Sequence, residues 1–446
     1  MAEIDGLTSN DRASLVTAVL TTRQTEVAGP SELTDPAFDD KEWERIGALQ
    51  GWWYDRMASS SFTDTSKPCP IVERMTWFWH SHFATSGDKV GDSKLLFAQN
   101  ALFRKRSLGN FRTLCHEMAL QPAMLIYLDN ESNTAGSPNQ NFARELMELF
   151  MLGIGNYTED DVANAAAAWS GHGLDYDVNW RNPVYAFHPD DHDTESRTIL
   201  GKAQVWDGPQ HIDWILDSPV TGPLAAKFIV RKLWTWLVYP KPEDAVVTAL
   251  ATTFQNGGWE IAPVLQAMFL RDEFWSAKAK NGLLRTPIEY AVAAAKHIGL
   301  TAAQVHPQWT WDGMGQEPFY PPNVSGWRVN DYWISTSAVA ARASFAGVCT
   351  WTTLGGDGVD RSFLTDVTGE VPDDQDWVAY ADRVPTNQVI PAVLERFGIV
   401  DPTAQTVSQL TTWHTQYRSP AAGVYPWGER AHLLQLVLLS PDFQMA

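Results

Sequence analysis

The sequence predicts a mainly α protein: a multi-helix globular core with a small β-hairpin excursion and long loops. Apolar residues recur at the 3.6-residue helical spacing in nearly every long segment. Alternation of β-branched residues is scarce, and cap residues, glycines and prolines punctuate the helical runs. The 446 residues are enough for about three domains on length alone. They divide into an N-terminal helical segment at 1–69, a helical core at 70–350, and a C-terminal loop and helices at 351–446.

Each element follows from local chemistry. "PIVERMTWFWHSHFATS" opens with Pro70 in a first helical turn and lays Ile71, Met75, Phe78, Trp79 and His82 on one stripe. "GNFRTLCHEMALQPAMLIYLD" predicts one or two helices interrupted at Pro122, and "NESNTAGSPNQ" is a loop. "NQNFARELMELF", Asn139 to Phe150, is helical and closes at Gly153 and Gly155. "YTEDDVANAAAAWSG" starts with Thr158 as N-cap and Asp161 three residues on, and stops at Gly171. From Leu174 to Gly208, aromatic alternation with turn residues predicts the β-hairpin. Helices resume in "PLAAKFIVRKLWTWLVY", "ALATTFQNGGWEIAPVLQAMFLRDEFW" and "TPIEYAVAAAKHIGL". "PFYPPNVSGWRVNDYWIS" is a loop, "TSAVAARASFAGVCTW" a helix, Gly355 to Pro385 a long surface loop, and "ERAHLLQLVLLSPDFQ" a closing helix.

Composition narrows the function classes. A net charge of −20 repels phosphate backbones and anionic lipid surfaces, so no nucleic-acid partner is expected. Three cysteines without a CxxC pair suggest neither a disulfide framework nor a zinc knuckle and fit a reducing compartment. No basic-then-apolar leader and no run of about 18 apolar residues stands out. A cytoplasmic protein without a membrane span is the expectation, and export by another route stays open. The 21 tryptophans exceed the usual share; most belong in a core, and the remainder suit flat or sugar-like ligands. No P-loop, GxGxxG or GxSxG pattern occurs, which weighs against nucleotide-dependent and α/β-hydrolase chemistry.

Three places carry chemistry-bearing residues. At about 100° per residue, Asn141, Arg144, Glu145 and Glu148 fall within one strip of about 100°. Phe142, Ala143, Leu146, Met147, Leu149, Phe150 and Met151 cover roughly 200° of the remainder, which predicts a helix buried on most sides. The strip is either a solvated edge with Arg144 and Glu148 as an i,i+4 pair, or the wall of a cleft. In a cleft, Glu145 and Glu148 would split acid and base roles or share a cation. In "WFWHSHF", His80 and His82 lie about 200° apart on a helix and cannot meet one metal. His82 sits on the apolar stripe and reads as a core histidine bonded to a backbone carbonyl. His80, on the side of Glu73 and Trp77, is the site candidate. The third place, "FHPDDHDTESRTILG", holds His188, Asp190, Asp191, His192, Asp193 and Arg197. His192 and Asp193 there could give part of a divalent-metal site, and an acidic turn is the plain alternative. In "FYPPNVSGW", Asn323, Trp327 and the nearby Trp333 form an aromatic loop, either rigid structure or a surface for substrate.

These motifs carry a resemblance. "ERMTWFWHSHFATS", "PAMLIYLDN", "NQNFARELMELFMLGIGNYTEDDV", "HDTESRTILG", "FIVRKLWTWLV" and "PPNVSGWRVNDYWISTSAVAARASFA" resemble, in order and spacing from about residue 70 to 350, the bacterial DUF1800 family. Members are often encoded beside DUF1501 proteins, relatives of sulfatases or phosphatases. The resemblance therefore implies a DUF1501-type partner and work on an exported or surface polymer. The chain departs from the family pattern in lacking an "RRxxFG"-type opening, in Arg197 where lysine is usual, and in Gln140 where glutamate is usual.

Two functions are compatible with these residues. One is a hydrolase-type enzyme, acting on a carbohydrate or other polymer or a small molecule, with Glu145, Glu148, Arg144 and His80 as catalytic groups. In it Asn141, Trp77, Trp327 and Asn323 bind substrate, and a divalent metal sits at His192 and Asp193. The other is a non-catalytic binding or assembly protein that uses surface tryptophans, with Arg144, Glu145 and Glu148 as a structural ion-pair network.

Overall fold

Capping chemistry sets the helix boundaries. Proline in the first turn opens the helices at Pro70, Pro122 and Pro287, where its fixed φ and missing N–H cost nothing. Asn110 Oδ1 accepts from Thr113 N, and Thr158 with Asp161 forms the reciprocal capping box expected from the sequence. Gly153, Gly155 and Gly171 all adopt positive φ at helix ends.

The computed structural model describes residues 9–21, 23, 25–178, 182–355, 385–417 and 426–445. Twenty-one α-helices lie among them. The N-terminal part holds α1 (Ser9–Val19) and α2 (Glu42–Ser59), followed by α3 (Pro70–His82), α4 (Gly87–Val90), α5 (Ser93–Lys105), α6 (Phe111–Ala119) and α7 (Pro122–Tyr127). Next come α8 (Gln140–Glu145), continued by a wider π turn over Leu146–Met151, and α9 (Glu159–Ala168). After the strands follow α10 (Gly208–Asp217), α11 (Thr221–Leu237), α12 (Asp244–Asn256), α13 (Ile261–Phe269), α14 (Pro287–Ile298), α15 (Ala302–Val305) and α16 (Gln308–Met314). The last are α17 (Thr336–Gly355), α18 (Thr386–Arg396), α19 (Ala404–Tyr417), α20 (Pro426–Leu439) and α21 (Pro441–Gln444). Of the expected loop from Gly355 to Pro385, residues 356–384 lie outside the described residues.

The β excursion is two hairpins rather than one. β1 (His172–Asp175) pairs antiparallel with β2 (Val184–Phe187), and β3 (Ser196–Ile199) with β4 (Lys202–Val205). Leu200 and Gly201, both at positive φ, make the tight second turn. Leucine in the left-handed region is rare, which is why "ILGK" gives no turn signal.

One buried hydrophobic cluster runs from Val16 to Phe443. α3 packs on α2 and α5, α2 also on α14, and α17 on α14 and α20. No helix among the described residues is long and apolar enough to cross a membrane.

Inside this core sits one ion-pair cluster. Glu73, in the first turn of α3, is 2% exposed and meets the fully buried Arg104 of α5 in two hydrogen bonds of 2.9 and 3.0 Å. Arg56 of α2 adds bonds of 3.1 and 3.0 Å, and Trp53 Nε1 donates to the same carboxylate at 3.0 Å. Burial pushes this carboxyl up, but Arg104 and Arg56 outweigh it and hold it below the usual carboxylate value. Its contribution is therefore complete above the unfolded value of 4.5 and is lost as pH falls through the folded one. Glu73→Ala leaves Arg104 as an uncompensated buried charge and is expected to cost about 3–5 kcal/mol by urea denaturation at pH 7. A loss under about 1 kcal/mol, the range of surface pairs, would contradict a buried pair.

Candidate functional site

The helix at Asn139–Phe150 is where sequence and structure meet most closely. Asn141, Arg144, Glu145 and Glu148 are all half-buried, while Phe142, Ala143, Leu146, Met147, Phe150 and Met151 are fully buried. The strip is real, but Arg144 and Glu148 pair elsewhere. Arg144 makes a bidentate pair with Glu159 of α9, at 2.8 and 2.7 Å, in place of an i,i+4 bond to Glu148. Glu148 accepts from the Tyr157 hydroxyl. Glu145 has no ion-pair partner among the described residues; burial, then the charge of Glu148, push its carboxyl up against the pull of Arg144. Asn141 donates its backbone N–H to the N-cap Asn139. Neither a closed ion-pair network nor a carboxylate dyad with a histidine is assembled here.

The helix contributes its carbonyl end instead. In the π turn, Leu152 N reaches back five residues to Met147 O at 2.8 Å. Beside this turn, Phe150 O accepts from His82 Nε2 at 3.0 Å, and Leu149 O accepts from Lys232 Nζ at 3.3 Å. The negative end of a helix suits both donors. A carbonyl can only accept, so neutral His82 is the Nε2–H tautomer and its Nδ1 carries a lone pair. That nitrogen is buried and has no hydrogen-bond partner.

His82 and Lys232 line one cavity of about 290 Å³. α3 supplies Phe78, Ser81 and His82; α11 supplies Arg231, Lys232 and Trp236; the loop before α17 supplies Ser325 and Trp327. No carboxylate lines it among the described residues. Lys232 is half-buried, with its ammonium beside the Phe228 ring at 5.2 Å. Burial lowers this ammonium from 10.5 to about 7. Burial also holds His82 well below 6.5, and the charge of Lys232 adds to it against the bond to Phe150.

Gly326 brings the loop in. At φ +73° its backbone passes so close to α3 that a Cβ would lie 2.0 Å from Ser81 O. Only glycine allows this approach. Trp327 N then faces Ser81 Oγ at 3.4 Å, and the Trp327 ring stacks on Trp77 at 5.1 Å.

The other expected site residues fall elsewhere. His80 is 1% exposed and ringed by Trp53, Trp77, Phe319 and Trp327 at 4.9–5.5 Å, away from Glu145 and Glu148. Its Nε2 accepts from Phe319 N at 3.1 Å, and burial lowers it to about 3, so it is a neutral structural ring. His82 keeps the carbonyl bond expected of it, yet it is the histidine that lines a cavity. Trp77 is a core residue, 2% exposed. Asn323 is exposed and closes its own turn by accepting from Ser325 N at 2.9 Å.

The expected metal pair is not assembled either. His192 faces Ser170 O with Nδ1 at 2.8 Å and Trp206 O with Nε2 at 3.1 Å, so both ring nitrogens are turned to backbone carbonyls. Asp193 accepts from Glu195 N at 2.8 Å and from Arg197 at 2.6 Å. Both residues pin the hairpins to the end of α9. No group of three or more possible metal ligands occurs among the described residues.

Four of the six sequence motifs, those that hold His82, Phe150, Lys232 and Trp327, meet at this cavity, and the whole-chain comparison agrees with the resemblance. The model of the DUF1800 family, described as protein of unknown function, matches residues 2–445. The chain belongs to the DUF1800 family. No curated protein and no solved structure gives a match. Of the cavity-lining residues in this DUF1800 chain, sequence reasoning selected Trp327 and passed over Lys232. Its signal was a lysine placed four residues from both Phe228 and Trp236, within an apolar helical stripe.

Two measurements check this geometry. Gly326→Ala imposes a positive φ on alanine and a clash with Ser81, and is expected to cost about 2 kcal/mol or more in chemical denaturation. An unchanged midpoint would mean that the loop does not rest on α3. Lys232 sheds its proton on folding between about pH 7 and 10.5, so its contribution improves as pH rises through that window. The stability of Lys232→Met minus that of the parent is therefore expected to fall between pH 7 and pH 10. An equal difference at both ends would rule out an enclosed ammonium.

Proposed function

We propose that this DUF1800 chain is a hydrolase-type enzyme that works by acid and base catalysis in the cavity between α3, α11 and the Ser325–Trp327 loop. One observation carries the reading. Two adjacent carbonyls at the end of the π turn hold His82 and Lys232 at the same cavity wall. The pair offers a neutral imidazole and a proton donor at neutral pH. His82 Nδ1 offers a lone pair to take a proton from an attacking water, whose oxygen then bonds to the electrophilic centre of the substrate. Lys232 faces the charge that develops and, being poised near neutrality, passes a proton to the leaving group as its bond breaks. Proton exchange with solvent restores both groups.

Size and lining support a small ligand or the terminal unit of a polymer. About 290 Å³ is at the lower end of ligand sites, which span about 300–1,000 Å³. Phe78, Trp236 and Trp327 offer apolar faces suited to a sugar-sized ring. The lining nitrogens and hydroxyls, without a carboxylate, are a poor donor set for a hard divalent cation.

A binding or assembly role draws on one separate observation. Trp43 is 74% exposed and borders a second, larger groove of about 900 Å³.

Turnover of chromogenic esters, glycosides, phosphates and sulfates separates the two. The parent is expected to hydrolyse at least one class, and His82→Gln to lower that rate by about 100-fold or more with its circular dichroism unchanged. Parent-like rates in both His82→Gln and Lys232→Met would end the catalytic reading.

A further inference from the structure

Three residues that line the cavity carry buried nitrogens without partners. The indole Nε1 atoms of Trp236 and Trp327, in residues 7% and 6% exposed, donate to nothing in the protein, and His82 Nδ1 accepts from nothing. Indole N–H is a donor only, and a buried unsatisfied donor carries a desolvation cost that a bound oxygen removes. The ammonium of Lys232 has three protons and one long bond, 3.3 Å to Leu149 O. Ser81 adds a hydroxyl to the lining.

Charge sharpens the choice of ligand. The chain carries a net charge of −20, yet no carboxylate lines this cavity among the described residues while Arg231 and Lys232 both do. The Arg231 guanidinium is already paired with Asp244 at 2.8 Å, so Lys232 is the cation left to the ligand. A neutral sugar hydroxyl would satisfy an indole N–H but leave an enclosed ammonium without a counter-charge.

We infer that the cavity is an oxyanion site, gripping a carboxylate, phosphate or sulfate group of the substrate between the Lys232 ammonium and the indole N–H groups of Trp236 and Trp327. This rests on the assignment of the cavity as the reaction site. His82 Nδ1 takes no part in gripping the charge, because two lone-pair-bearing groups repel. It faces a hydroxyl or water beside the anion.

Calorimetric titration of the full chain with inorganic sulfate, inorganic phosphate and acetate tests it, with chloride at equal ionic strength as the control. At least one of the three oxyanions is expected to bind saturably with one site per chain, where chloride does not. The rank of the tetrahedral ions against planar acetate identifies the group. Lys232→Met is expected to weaken binding at least tenfold, and Lys232→Arg to recover part of it. Trp236→Phe, which keeps an aromatic face and removes the N–H, is expected to weaken it several-fold. At pH 8 binding is expected to take up protons, because the anion recharges Lys232. His82→Gln is expected to leave affinity within about threefold while turnover collapses. Binding by none of the three ions, or affinity that Lys232→Met leaves within twofold, overturns the oxyanion site even if His82→Gln abolishes turnover. Oxyanion binding with parent-like turnover in both His82→Gln and Lys232→Met overturns the hydrolase reading and leaves the oxyanion site standing.

Discussion

The contact between Glu73 and Arg104 governs where the rest of α3 can be. Two charges with no access to water tolerate little displacement, because each lost hydrogen bond exposes an uncompensated charge to a low-dielectric interior. Arg56 and Trp53 reach the same carboxylate from α2, so a single side chain registers three helices. Everything α3 offers further along is then set at a fixed rotation. Trp77 stacks on Trp327, His80 holds the Phe319 backbone, and Ser81 meets the loop at Gly326. His82 ends the helix against the π turn.

The π turn has a matching role on the facing side. A straight α-helix through Leu146–Met151 would carry the 100° progression onward. The wider turn changes the direction of its last carbonyls, and two neighbours in sequence, Leu149 and Phe150, meet groups on two different helices. Irregular helical turns of this kind concentrate at functional sites, since their hydrogen-bond geometry is poorer than that of the α-helix they interrupt. A lysine held by a single carbonyl and an aromatic ring, with no carboxylate, is a poor way to stabilise a fold. It is a suitable way to keep an amine ready to exchange a proton.

Much of the fold was legible because it depends on local rules. Pro70, Pro122, Thr158 with Asp161, Gly153 and Gly171 mark boundaries through properties of one or a few residues. The half-buried strip of Asn141, Arg144, Glu145 and Glu148 was likewise legible, since helical periodicity maps directly to exposure. Partner identity was not. Arg144 found Glu159 across a turn instead of Glu148 along the helix, and no periodicity distinguishes the two. The exchange of roles between His80 and His82 has the same origin. Both lie on a helix buried all round, where angular position no longer separates core from cavity. Lys232 escaped notice because a lone lysine in an apolar stripe usually extends its amine to solvent, whereas here the amine turns to Leu149 O and the Phe228 ring. The second hairpin stayed hidden behind Leu200, whose backbone conformation its side chain does not advertise.

The stacked pair of Trp77 and Trp327 has an optical consequence. Two indoles 5.1 Å apart and inclined by 28° are close enough for their electronic transitions to couple. One ring belongs to α3 and the other to the loop that walls the cavity. Dichroism in the aromatic bands therefore carries a signature of the loop seated on the helix, separate from the helical signal of the rest of the chain. The protein brings its own spectroscopic reporter to the place where its chemistry is proposed.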